Sequence, residues 1–130
     1  MRTHIERGIR SKLRGHWKGS LVPIKDPRIG TIPDLSLILK IRICSRSISG
    51  PCSFHIGIVE HCLSVKGLLM GNNSMSLEAT RTSKKNPAFN LTLQIVAILE
   101  SPTLITGKVL IFGGALNSTV TVAELFLEKQ

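Results

Sequence analysis

The segment CSFHIGIVEHC, residues 52–62, gathers Cys52, His55, Glu60, His61 and Cys62, the side chains in this chain best suited to chemistry. Two kinds of chemistry use such a set. Thiolate and imidazole are the ligands of structural zinc, which takes them from paired knuckles. A cysteine with a histidine and a carboxylate supplies the nucleophile, base and orienting group of covalent catalysis. The spacing argues against both. Cys52 and His55 suit one knuckle, but the adjacent His61 and Cys62 leave a strand on opposite faces, as do Glu60 and His61. The expectation is therefore reduced thiols, no metal, no cofactor and no enzymatic activity. The acidic residues are few and scattered, and Gly113-Gly114 lacks the flanking pattern of a phosphate-cradling loop.

A second chemistry runs through the basic residues. Residues 1–85 hold 15 Lys and Arg against 5 Asp and Glu, whereas residues 86–130 hold 2 against 3, within a net charge of +9. A split of this kind points to a polyanionic partner. Arg2, Arg7, Arg10, Lys12, Arg14 and Lys18 crowd the first twenty residues, and Lys40 and Arg42 lie further on. Each is suited to a phosphate contact that releases counterions. Trp17, between His16 and Lys18, is read as an exposed ring for stacking on a base. With so few aromatics the body lacks a stacking platform, so backbone contacts are expected to dominate. Nucleic acid, RNA ahead of DNA, is the expected partner. The alternative is an acidic membrane surface, with Ile5, Ile9, Leu13 and Trp17 inserted among the head groups. Self-association is a further expectation.

These residues must be positioned by elements that the patterning suggests. Apolar residues make up 42% of the chain, enough for a core of aliphatic side chains. Residues 1–20 allow a short amphipathic helix weakened by Gly8, Gly15 and Gly19. Residues 21–34 carry three prolines and read as an extended linker. The period then changes. LSLILKIRI places Leu35, Leu37, Leu39, Ile41 and Ile43 on one face of a strand and Lys40 and Arg42 on the other. SRSISGP reads as a break, and SFHIGIVEHCLSVKGLLM, residues 53–70, as a stretch dense in β-branched and apolar residues and interrupted by Gly57 and Gly67, with a helix through Phe54, Ile58 and Cys62 as the lesser alternative. GNNS at 71–74 has the chemistry of a tight hairpin turn. Alternating runs follow around 75–80, 89–99, 104–112 and 119–127. The expected architecture is mainly β: a single antiparallel β-sandwich or jelly-roll-like domain of about seven strands over 35–130. A basic, partly helical or disordered arm and linker would occupy 1–34.

No apolar run approaches the roughly 18–20 residues of a spanning helix, since Glu100 and Lys108 interrupt the best ones. The first residues are charged throughout, unlike a secretion leader, so free thiols in a reducing compartment are expected for the odd set Cys44, Cys52 and Cys62.

The basic arm, the Pro-rich hinge and the strands LILKIRI, Gly50 and IGIVE, in that order, resemble the plant-virus cell-to-cell movement superfamily. Ile58, Val59 and Glu60 stand at that family's apolar-apolar-Asp signature, with Glu in place of Asp. The resemblance implies a jelly-roll-related core over residues 35–112, nucleic-acid binding and movement of a viral genome between cells. IRICSRSISGPCSFHIGIVEHCL is also similar to a strand, turn and helix of rhabdovirus matrix proteins, which implies a membrane-associated role. The aliphatic, Tyr-free composition is similar to that of small viral accessory proteins such as silencing suppressors. Each implies action in the host-cell cytoplasm or at its periphery.

Overall fold

The computed structural model describes residues 2–24, 34–81, 90–113 and 120–130, with side chains from residue 8 onward. One helix, α1 (Arg2–Leu13), precedes eight strands: β1 (Gly15–Pro23), β2 (Leu35–Cys44), β3 (Ser47–Ile56), β4 (Val59–Leu69), β5 (Ser74–Arg81), β6 (Leu91–Ser101), β7 (Leu104–Phe112) and β8 (Thr121–Lys129). Each strand pairs antiparallel with the next, and β8 returns to β1, so the sheet closes into a barrel.

Closure corrects the expected sandwich. Two features account for the difference. Gly15–Pro23 lies within the expected arm and linker, yet it is β1, paired on one side with β2 and on the other with β8. A sheet whose first and last strands pair has no edges, and an open sandwich would leave both unpaired. The stretch 53–70, with its interruption at Gly57, is divided between two strands, because Gly57 (φ 61°) and Ile58 turn β3 into β4 between the paired Ile56 and Val59. Most of SRSISGP lies in β3, so the expected break there is confined to Ser45 and Arg46. The GNNS turn is where expected, with both Asn72 (φ 59°) and Asn73 (φ 61°) left-handed as a primed hairpin turn requires. Much of the expected linker, with Phe89 and the turn at 114–119, lies outside the described residues.

The alternation read from β2 holds: Leu35, Leu37, Leu39, Ile41 and Ile43 all face inward and are buried. Leu91, Leu93 and Ile95 of β6, the wall diametrically opposite in strand order, face them. All buried side chains among the described residues are apolar. Leu37, Leu39, Phe54, Leu91 and Leu93 have no exposed surface, so no water-sized void touches them. An eight-stranded barrel can be filled by its own side chains or hold a small ligand; around these residues it is filled. Outward positions carry Lys18, Lys40, Lys66, Glu78, Lys108 and Glu124 and, among them, the exposed apolar Val22, Ile38, Leu68, Val96, Ile98, Leu110, Val122 and Phe126, so the outer wall mixes charged and apolar side chains.

Tight curvature is made by glycine where two strands approach closely. Gly50 in β3 has φ 153° and faces inward, and a Cβ there would overlap the carbonyl oxygen of Lys40. Such positions let a barrel wall bend without a collision.

One end of the barrel is sealed. Leu13 of α1 is buried and Ile9 packs against the core. Trp17, two residues into β1, fills the space beneath them at 0% exposure.

Candidate nucleic-acid interface

Pairing of β1 with β2 gathers basic residues that are far apart in sequence. His16 lies opposite Lys40, and Lys18 opposite Ile38, while Arg42 follows Lys40 on the same outward face of β2. His16, Lys18 and Arg42 are exposed and Lys40 is half-buried, as expected of a long side chain laid along the sheet. Arg14, at the junction of α1 and β1, reaches over the end of β2, its Nη2 donating to the Ile43 carbonyl at 3.2 Å. Lys12 is exposed and Arg10 half-buried at the end of α1, and exposed Arg46 sits in the β2–β3 turn. The side chains of Arg2 and Arg7 lie outside the described residues.

Residues 8–23 and 35–59 contain seven Lys and Arg and no Asp or Glu. Charge on this face is therefore mostly positive, and such a surface concentrates anions near it. Its borders are defined by the strand order. On one side β8 carries Glu124 and Glu128, the latter directly opposite Lys18. On the other, β3 shows Ser49, Pro51 and Ser53 outward before Glu60 appears on β4. Arg46, expected to extend the basic patch, joins this face at the β2–β3 turn, and His16 joins it by its register opposite Lys40.

Trp17 does not belong to it. Its ring is enclosed by the barrel, its Nε1 donates to the Leu13 carbonyl at 2.7 Å, and Lys129 Nζ lies 5.6 Å from the ring centroid. The expected base-stacking role is corrected by burial: a ring with no accessible surface cannot meet a base. The inward parity of β1, in register with Leu39 on one side and Lys129 on the other, places it there.

The residues of 52–62 are divided by the pleat. Cys52 faces the interior, where burial, with the Cys62 thiol as a lesser cause, pushes its thiol up to about 12. His61 also lies on the inward side, near the opening of the barrel, its ring 6.4 Å from that of Phe54. Desolvation holds its imidazole below the usual value, with Arg81 and His55 adding to the effect. Glu60, Ser53, His55 and Cys62 are outside. Glu60 Oε1 accepts from Ser53 Oγ at 3.0 Å and from Cys62 Sγ at 3.7 Å, and Oε2 lies 3.8 Å from His55 Nε2. The carboxylate is thus the hub of the group. A catalytic set would instead place a histidine between nucleophile and carboxylate. The Nδ1 atoms of His55 and His61 are buried without a hydrogen-bond partner.

No family model matches the chain, and no curated protein matches it. Among solved structures it is similar to a redesigned β-barrel, at 15% identity and a TM-score of 0.62, with 94% of this chain and 95% of that one covered. At that identity the likeness shows the fold: a closed β-barrel over nearly the whole chain.

Proposed function

We propose that this barrel binds the phosphate backbone of nucleic acid through the outer face of α1, β1 and β2. The observation that carries the reading is the predominantly basic face on which Arg14, Lys18, Lys40, Arg42 and Arg46 meet, bordered by Asp34 and by Glu124 and Glu128 of β8. With Trp17 enclosed, the rings left are the imidazole of His16 on this face and Phe126 beside it on β8, so charge is the main term and sequence preference is small. Genome movement between cells rested on a jelly-roll-related core; the chain folds otherwise, and the proposal stops at nucleic-acid binding.

The test is fluorescence anisotropy of labelled single-stranded RNA and duplex DNA across a salt series. The triple variant Lys18→Glu, Lys40→Glu, Arg42→Glu should weaken binding and make the salt slope shallower by about 2, at roughly 0.7 per lost contact on a single strand. Lys108→Glu on β7, two strands from β1, should leave both unchanged, whereas Lys40→Glu, a single reversal of the same size on the proposed face, should weaken binding. Equal losses from the two single variants would leave only non-specific attraction to a +9 chain. Binding to anionic vesicles but not to RNA or DNA would replace this reading with the membrane one.

A further inference from the structure

The outward side of β4, with the turn before it, has an order of side chains that is complementary to itself. Reading alternate positions gives Ile58, Glu60, Cys62, Ser64, Lys66 and Leu68: apolar, acidic, small, small, basic, apolar. Reversed about Leu63, Ile58 falls on Leu68, Glu60 on Lys66 and Cys62 on Ser64.

The two ends also differ in shape. Ile58, at the tip of the β3–β4 turn, is 101% exposed, an aliphatic knob where turns ordinarily carry polar residues. At the other end lies a groove of about 490 Å³ lined by Leu68, Met70, Ser76 and Val96, with Lys66 and Glu78 along one side. The register explains the groove. Ser76 stands between Leu68 on β4 and Val96 on β6, so a small side chain forms the floor and larger ones the walls. The same three-strand row continues as Lys66, Glu78 and Gln94.

We propose that the outer face of β4 is an interface between two copies of this chain, related by a two-fold axis at Leu63. Ile58 of each copy enters the groove beside Leu68 of the other. Glu60 of each faces Lys66 of the other, forming two ion pairs, and Cys62 and Ser64 at the axis are small enough for the strands to approach. A two-fold contact requires a patch that matches itself when reversed, and this ordering supplies charge and shape complementarity together. An unrelated partner would require neither the reversal nor the matched spacing. Lys18, Lys40 and Arg42 of β1 and β2 take no part in this contact, so a failed dimer and a failed nucleic-acid reading are separable.

Sedimentation velocity of the full chain from about 10 µM to 500 µM should show a concentration-dependent dimer. Lys66→Glu, which sets like charges against each other across the axis, should weaken it about tenfold or more. Glu60→Lys combined with Lys66→Glu should restore it to within about threefold of the starting chain. Circular dichroism checks that each exposed-site variant keeps the barrel. In a Cys44→Ser background, a short bismaleimide should link two copies through Cys62, and adding Cys62→Ser should remove that product. A monomer at every concentration, a dimer indifferent to Lys66→Glu, or charge-swapped chains that stay monomeric would overturn the proposal.

Discussion

The indole of Trp17 donates from Nε1 to the carbonyl of Leu13 at 2.7 Å, tying the first inward side chain of β1 to the last residue of α1. The backbone completes the same closure. Gln130 N donates to the His16 carbonyl at 2.9 Å, and Lys129 Nζ reaches the Lys12 carbonyl while lying over the Trp17 ring. The two ends of the chain therefore seal one end of the barrel together.

Trp17→Ala should destabilise the protein by about 3–5 kcal/mol, the range for emptying a large aromatic site in a core. Trp17→Phe keeps the ring but drops the hydrogen bond to Leu13, and should cost less. Urea unfolding followed by circular dichroism measures both. Deleting residues 1–20 removes most of β1 and should unfold the barrel; a truncated chain melting at the original temperature would refute the role given to this strand.

Gly50→Ala should cost about 2–4 kcal/mol, because a side chain is strained at φ 153° and its Cβ would overlap the Lys40 carbonyl oxygen. Gly71→Ala, a glycine with open space around it, is the matched control and should be nearly neutral. Thermal melts of the pair are sufficient to decide.

Cys44 and Cys62 are exposed and Cys52 is buried, so iodoacetamide at pH 8 should label two of the three thiols in the folded protein and all three in urea. The raised thiol of Cys52 adds a pH dependence. Between its unfolded value of 9.0 and about 12 in the fold, the unfolded chain loses the proton and the folded chain keeps it. Stability contributed by this group is full below pH 9.0 and falls as pH rises through that window. Cys52→Ala should be less stable at neutral pH and show a flatter alkaline limb in melts across that range.

His61 acts in the opposite sense. Its pKa is lowered in the fold by desolvation first, then by Arg81 and His55. Below 6.5 the unfolded chain takes up a proton that the folded one resists, so stability falls on acidification from 6.5 downward. His61→Gln should flatten the acid limb without changing the alkaline one. An unchanged limb would show that His61 titrates normally in the fold.

Much of the wall was legible before any coordinates. Leu35 to Ile43 alternates, interrupted at Ile38, and Leu91 to Ile95 alternates with Thr92 and Gln94, because the pleat sends every second side chain to the same side, a property of the strand alone. Beyond Ile95, Val96 and Ile98 are apolar and face outward. The Asn72-Asn73 turn was legible for the same local reason, since few residues adopt left-handed angles at low cost. β1 was not. Its inward row reads Trp17, Gly19 and Leu21, and the glycine interrupts the apolar pattern. That glycine stands where a Cβ would strike the backbone of Phe126 in β8, a neighbour more than a hundred residues away.

By itself, the sequence determined an antiparallel β chain with an aliphatic core and an excess of positive charge in its first two thirds. Only the tertiary structure decided that the sheet closes, that Trp17 is interior rather than available to a base, and that His16, Lys18, Lys40 and Arg42 share a face. The physical reason is that alternation describes a strand's two sides without naming its neighbours. A sandwich and a barrel present the same period of two. What separates them is the pairing of β1 with β8, a contact between the two ends of the chain that local residue order does not encode.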